Sequence, residues 1–325
     1  MPYDVVCLRP EADFQRVGAV APRSCSITYR APDDPELPSL LKHVRVLLIP
    51  AVGPKLHSSL FEGSTVKLVQ VTGAGVDRLD EAALKRLGIA VANVPGGSNS
   101  AVAEYAVTNA SLLLRRFAWS DHEIEQGRYE AFRKRMLSDN VGGLEGALVG
   151  IVGLGVIGLA VAEAFKRAGC SIVFFDPAPR DAKAVEALSA RSVSLQDLLQ
   201  TADVITLHVP LLPTTQLMIG ARELALIKPG AVLINAARGG IVDEAALAAS
   251  LVSGALSGAA VDVYSTEPPS ADNPLLKLSG EARRRLTLTP HIAGVTRQSF
   301  ANLFREAWQN VERVLKNEAP LNRVY

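Results

Sequence analysis

Cysteine is scarce in this chain: Cys7, Cys25 and Cys170 are the only three among 325 residues. An odd number without paired spacing argues against a disulfide framework and against a zinc site, and it fits a reducing cytoplasm. An excess of charge of one sign is missing too. Lys and Arg total 34 against 33 for Asp and Glu, so the footprint of a nucleic-acid or anionic-membrane binder is absent. The local runs Arg133-Lys134-Arg135 and Arg283-Arg284-Arg285 read as solvated faces. No stretch approaches the ~20 apolar residues of a spanning helix, and the opening Met-Pro-Tyr-Asp-Val-Val lacks the basic-then-apolar pattern of a secretory signal. These absences leave a cytoplasmic chain with a small-molecule partner, and neither nucleic acid nor membrane nor metal is expected.

What is present is apolar and alternating. Hydrophobic residues make up 48% and charged residues 21%, ample for buried cores, and this length suggests about two domains. In the first hundred residues β-branched runs at 4–8, 26–29, 44–49, 66–71 and 89–94 read as strands, with helices near 11–20, 54–62 and 79–87. A long helix is expected over 100–126. After the Gly-rich stretch 140–146 a second series begins, with strands at 147–153, 171–176, 191–193, 203–209, 231–237, 258–264 and 286–290. A last helix spans 296–316 and ends at Asn317. Strands alternating with helices imply crossover units, hence α/β architecture with two parallel sheets covered on both faces.

The strongest local signal is the segment "ALVGIVGLGVIGLAVAEAFKRAGCSIVFFDP". Gly153, Gly155 and Gly158 form G-x-G-x-x-G between an apolar strand and an amphipathic helix, and Asp176 closes the next strand 18 residues beyond Gly158. The first glycine permits a tight turn, the second lets the backbone approach a pyrophosphate, and the third allows close helix–strand packing. The helix N-terminus at Val156 and Ile157 presents unpaired N–H groups to the phosphates. Asp176 can accept from both ribose hydroxyls and would repel a 2′-phosphate, so NAD (NADH) is expected over NADP. Arg180, four residues on, partly offsets that repulsion.

A nicotinamide enzyme acting on a keto acid needs a cation for the carboxylate, a proton donor working near neutrality, and a group that tunes the donor. Three residues follow strands in the second series, where α/β sites are built. Arg238, in "NAARGG", could pair bidentately with a carboxylate. His291 stands in "TPHIAG" and Glu267 in "VDVYSTEP"; a carboxylate beside an imidazole favours its charged form.

These motifs, with "VTGAGVDRLD" and "NVPGGSNSAVAEYAV", resemble the D-isomer-specific 2-hydroxyacid dehydrogenase family over most of the chain. The resemblance implies a Rossmann cofactor domain, 100–291, inserted in a flavodoxin-like substrate domain, 1–99 and 292–325, with the substrate cleft between them. It implies Arg238 as substrate clamp, Glu267 as tuner and His291 as general acid/base. It places Asp262 beside the nicotinamide carboxamide. It lays the loop 208–215 (His208, Val209, Pro210 and Thr215) along the cofactor, together with Ala236, Ala237, Arg238 and His291. Gly73, Ala74 and Gly75 would hold the substrate carboxylate through backbone N–H groups, a role glycine-rich nests can fill. Asp77 and Asp80 read instead as helix caps, and Asn93 as a brace for that loop. Arg9 and His57 read as surface residues and Trp308 as core or interface.

The family usually has Thr in the loop after "VP", and this chain has Leu212. A formate dehydrogenase of the superfamily would carry Gln in place of Glu267, and an L-type lactate or malate dehydrogenase would open on its glycine motif. The implied reaction is hydride transfer between NADH and a small 2-keto acid, resembling glyoxylate, hydroxypyruvate or pyruvate, to give a D-2-hydroxy acid. The alternative is an NAD-binding corepressor-like protein with little turnover. A homodimer is the family expectation, with the 100–126 helix as a contact.

Overall fold

A computed structural model describes residues 3–325. It divides into two compact units: one ends at Ser98 and resumes over Val295–Tyr325, and the other is Asn99–Gly294.

The first unit holds five strands: β1 (Val5–Cys7), β2 (Ile27–Tyr29), β3 (Val46–Ile49), β4 (Leu68–Val71) and β5 (Ala90–Ala92). All pair in parallel, in the order β2-β1-β3-β4-β5. Alternate residues serve opposite faces. Val5, Cys7, Val46 and Leu48 pack with Phe14, Phe304 and Trp308, while Val6, Leu47, Ile49 and Val69 pack with Leu41 and Leu84 on the other side. The helix Arg297–Leu315 covers the first face, and its Trp308 donates to the Ala19 carbonyl at 3.1 Å. Trp308 is therefore core.

The second unit holds β6 (Leu148–Val152), β7 (Ser171–Phe175), β8 (Arg191–Ser192), β9 (Val204–Leu207), β10 (Val232–Asn235), β11 (Gly258–Val261) and β12 (Leu286–Leu288). Its parallel order is β12-β11-β10-β9-β6-β7-β8. The chain winds outward from β6 to β8 and then returns to β9 on the other side. This is the Rossmann arrangement with one strand added, and it opens a crevice beyond the carboxyl ends of β6 and β9. Strands buried on both faces read as near-continuous apolar runs; all twelve lie within stretches expected to be strands, although the edge strand β8 (Arg191–Ser192) is polar and exposed.

Helices depart from expectation where tertiary contacts compete. The segment 54–62 forms only a 3₁₀ turn at Ser58–Phe61. Upstream of it, the buried Arg78 guanidinium takes the carbonyls of Pro50 (2.7 Å), Val52 (3.3 Å) and Pro54 (2.8 Å). The single helix expected over 100–126 is instead two, Asn99–Leu114 and Phe117–Glu125, broken at Arg116 with φ +54°, and a third follows at Tyr129–Ser138. Burial of Trp119 against Phe132, ring centroids 5.5 Å apart, accounts for the fold-back.

The two basic runs are not simply solvated faces. Arg135 stacks 4.4 Å over the Trp119 ring and pairs bidentately with Glu281, while Arg284 meets His122 Nε2 at 2.6 Å. No helix among the described residues is long and apolar enough to cross a membrane.

Candidate active site

In the second unit the turn after β6 has the shape its glycines dictate. Gly153 has φ +92°, and a Cβ there would stand 2.6 Å from the His208 carbonyl and 2.7 Å from Val209 Cγ1. The turns after β6 and β9 thus touch through Gly153. A Cβ on Gly158 would stand 2.0 Å from the Gly153 carbonyl, so the helix Val156–Arg167 sits directly on the turn. At Gly155 a Cβ would meet nothing within 4 Å, and this N-cap position carries no side-chain cap. Val156 is exposed at the helix start and Ile157 half-buried. The helix therefore presents uncapped N–H groups and a partial positive charge to open space, the requirement for a pyrophosphate.

Asp176, its side chain 3% exposed, faces the same turn. Oδ2 accepts from Leu154 N–H at 2.8 Å and meets Arg180 at 2.6 Å, and Oδ1 accepts from Ala178 N–H at 2.9 Å. Burial works to raise its pKa, but Arg180 and the two N–H groups together hold the carboxyl below its ordinary value. A carboxylate offers roughly four acceptor positions, and these three contacts leave room at Oδ1 for a hydroxyl.

The His208 imidazole pairs through Nε2 with Thr206 Oγ1 at 2.9 Å, and burial pushes its pKa down to about 3, so it is neutral. Beyond it, Thr215 Oγ1 donates to the Pro210 carbonyl at 2.6 Å and accepts from Leu212 N–H at 2.8 Å. The Thr215 hydroxyl thus closes its own loop.

Arg238, Glu267 and His291 follow β10, β11 and β12. These strands are neighbours, so their carboxyl-end loops are too. Ala236 and Ala237 lead from β10; Ala237 N–H donates to Asn235 Oδ1 at 3.2 Å, and the Ala237 carbonyl accepts from Arg238 Nη1 at 2.6 Å. Gly239 presses the first loop onto the second, since a Cβ there would lie 1.8 Å from the Tyr264 carbonyl oxygen.

Glu267 Oε1 accepts from Tyr264 N–H at 3.1 Å, and Oε2 lies 2.8 Å from His291 Nδ1. Burial works to raise the Glu267 pKa, but His291, the Tyr264 N–H and Arg238 together hold it below its ordinary value. It is therefore the ionised acceptor, Nδ1–H of His291 donates, and Nε2 is left for chemistry. The two side chains are 29% and 28% exposed.

His291 has φ +54°. Its N–H donates to the Asp262 carbonyl at 2.8 Å, and the Asp262 carboxylate accepts from Ile292 N–H, Ala293 N–H (both 2.8 Å) and Thr289 Oγ1 (2.5 Å). Asp262 is 0% exposed. Its carboxylate is turned onto the His291 turn.

In the first unit, Gly73, Ala74 and Gly75 follow β4. A Cβ on Gly73 would lie 2.7 Å from Ala51 Cβ. Asn93 braces the loop by donating to the Ala74 carbonyl at 2.7 Å, and Asp80 caps the next helix by accepting from Ala83 N–H. The N–H groups of Gly73, Ala74 and Gly75 donate to no backbone carbonyl among the described residues. Arg9 lies over Phe300 and Phe304 at 5.3 and 5.0 Å and pairs with Asp13, and His57 is exposed at the surface.

Comparison with known proteins bears on this arrangement. The family model described as "D-isomer specific 2-hydroxyacid dehydrogenase, NAD binding domain" matches residues 107–293. The D-3-phosphoglycerate dehydrogenase of Archaeoglobus fulgidus is 38% identical over 73% of this chain, which spans 43% of that relative. The (S)-sulfolactate dehydrogenase of Chromohalobacter salexigens is 36% identical over 94% of this chain and 97% of its own length. Other relatives bear the names glycerate dehydrogenase, D-lactate dehydrogenase and glyoxylate reductase. Among solved structures, D-lactate dehydrogenase from Treponema pallidum superposes with a TM-score of 0.80 at 28% identity, over 99% of both chains.

Proposed function

The chain belongs to the D-isomer specific 2-hydroxyacid dehydrogenase family, and from this premise we propose that it reduces a small 2-keto acid with NADH to the D-2-hydroxy acid. The carrying observation is the 2.8 Å contact between ionised Glu267 and His291 Nδ1, at the ends of adjacent strands. Relatives acting on acids as different as glycerate, lactate and sulfolactate leave the side chain open. We favour glyoxylate, hydroxypyruvate or pyruvate.

NADH, when bound with its pyrophosphate at the Gly153–Gly158 turn, would supply the hydride. Gly155 and the uncapped N–H groups at Val156 and Ile157 would take the pyrophosphate, Asp176 would take the ribose, and the loops 208–215 and 236–238 would flank the cofactor. Asp176, already charged, repels a 2′-phosphate, which favours NADH over NADPH. Arg238 binds the keto-acid carboxylate and polarises the ketone, and the open N–H groups of Gly73, Ala74 and Gly75 suit an anion of the same kind. Glu267 accepts from Nδ1–H and orients the ring, so that His291 in its imidazolium form gives its Nε2 proton to the ketone oxygen during reduction and is left as the neutral Nδ1–H imidazole. Asp262 holds the turn on which His291 stands.

The free thiols of Cys7, Cys25 and Cys170 suit the cytoplasm. Exposed Phe117, Ile124, Tyr129 and Leu137 on the two helices after Arg116 suit a homodimer face, to be checked by sedimentation with Leu137→Glu. The deciding assay follows NADH and NADPH oxidation with a panel of 2-keto acids. Consumption of NADH with at least one of them is expected, abolished in His291→Ala with NADH affinity retained. Full turnover in His291→Ala would remove that residue from the role, and an inert wild type with tight NADH binding would mark a binding protein instead.

A further inference from the structure

Glu244 opens the helix Glu244–Ser253, six residues beyond Arg238. It is not the cap: Asp243 fills that position, accepting from Ala245 and Ala246 N–H at 2.9 and 3.1 Å. The Glu244 carboxylate instead reaches the loop after β11. Oε1 accepts from Ser265 N–H at 2.7 Å and Ser265 Oγ at 3.0 Å, and Oε2 accepts from Asn273 Nδ2 at 2.8 Å. Asn273 is buried and is fixed in turn by the Leu275 N–H on its Oδ1 at 2.9 Å. One carboxylate thus clamps both ends of the segment 265–273, and Glu267 lies between the clamps. Hydrogen bonds to an ionised acceptor are shorter and stronger than neutral ones. Ser265 is also one residue from Tyr264, whose N–H orients Glu267 at 3.1 Å. Slack at Ser265 therefore reaches the carboxylate that fixes the imidazole.

We propose that Glu244 is a positioning residue that sets the Glu267–His291 pair by latching the Glu267 loop to the helix behind Arg238; this rests on the reading of that pair as the proton-handling machinery. The test is a double-variant cycle of Glu244→Ala and Glu267→Gln, with Glu244→Gln as the conservative variant. Misplacement by about 1 Å costs up to ~100-fold, so Glu244→Ala should lose about 10- to 100-fold in kcat, with NADH affinity and keto-acid KM changed less than about threefold. Glu244→Gln keeps one acceptor oxygen for Ser265 and should fall between Ala and wild type. In the Glu267→Gln background Glu244→Ala should cost less than about twofold more, because residues acting as a unit are not additive. Unchanged kcat in Glu244→Ala, or losses that multiply in full, would overturn the proposal.

A readout independent of turnover is the Nδ1 proton of His291 in unliganded, ¹⁵N-histidine-labelled protein, assigned by its disappearance in His291→Ala. Glu244→Ala should shift or broaden it, and an unmoved signal also refutes the latch. A wild type inert to every keto acid would overturn the reading of the site, while this signal still decides whether Glu244 holds the pair.

Discussion

Gly239→Ala isolates the contact between the Arg238 and Glu267 loops. Gly239 lies outside the left-handed region, so the penalty of a side chain there is one of space alone. The new Cβ would stand 1.8 Å from the Tyr264 oxygen, 2.1 Å from its carbonyl carbon and 2.7 Å from Ser265 N, all of them backbone atoms with no rotamer to change. Reaching even 3.0 Å, below which real Cβ atoms are essentially never found, requires the loops to part by 1.2 Å. Overpacking of this kind costs about 1–3 kcal/mol, and at roughly 2–4 °C per kcal/mol for a unit of this size Tm should fall by about 2–12 °C. The same displacement separates Arg238 from the Glu267–His291 pair. At up to ~100-fold per ångström of misplacement, kcat/KM should drop about 10- to 100-fold. NADH affinity, read by fluorescence titration, should change little, because Gly153, Gly155 and Gly158 are untouched. Thermal unfolding and steady-state kinetics on the best keto acid read both effects. Wild-type Tm together with wild-type kcat/KM would show that the loops do not depend on this contact.

Gly155→Ala should do the reverse, since its Cβ meets nothing within 4 Å: Tm stays within about 2 °C of wild type while NADH binding weakens at least tenfold, and unweakened binding would clear the turn of the pyrophosphate role. Arg180→Ala removes the cation paired with Asp176 at 2.6 Å and should cut NADPH affinity more than NADH affinity; an unchanged ratio in parallel titrations would exclude Arg180 from discrimination. The Glu267 carboxyl, held below its ordinary 4.5, adds stability that is present above its unfolded value and is lost as pH falls through the folded one. Urea denaturation should therefore find Glu267→Gln less stable than wild type at pH 7, with the gap closing in acid below pH ~4, and a pH-independent gap would contradict the linkage.

The strands were legible because a sheet buried on both faces favours runs of buried, largely apolar residues, as in Val46–Ile49 and Val204–Leu207. Arg238, Glu267 and His291 could be singled out because each follows such a run, and parallel strands end where α/β sites are built. The helices carried less information. Residues 54–62 hold apolar positions compatible with a helix, yet the carbonyls at and before its start, those of Pro50, Val52 and Pro54, belong to Arg78, 24 residues away from Pro54. No local pattern announces such a bond. The same holds for Arg135 and Arg285, which lie over the Trp119 ring although their neighbours in sequence look like a solvated charge run. Gly239 and Glu244 carry no mark in the sequence for a related reason: an "RGG" and a helix-opening Glu both have ordinary local explanations, and their partners at Tyr264, Ser265 and Asn273 lie on another loop.

The positive φ of His291 gives the clearest case of structure arranged around chemistry. A non-glycine residue in the left-handed region is uncommon, and such strain persists only where the surroundings over-determine it. Here they do. The Asp262 carbonyl takes the His291 N–H, and the Asp262 carboxylate takes the next two N–H groups and the Thr289 hydroxyl. Tyr105 then holds Thr289 Oγ1 at 2.8 Å from the helix Asn99–Leu114. A chain that only needed to leave β12 could have done so through glycine, without a buried Asp. The N–H groups of Ile292 and Ala293 and the Thr289 hydroxyl instead satisfy a side chain that would otherwise be costly to bury, and that side chain fixes the turn. The imidazole is thereby aimed at Glu267 by the turn itself, which is positioning at the expense of local strain.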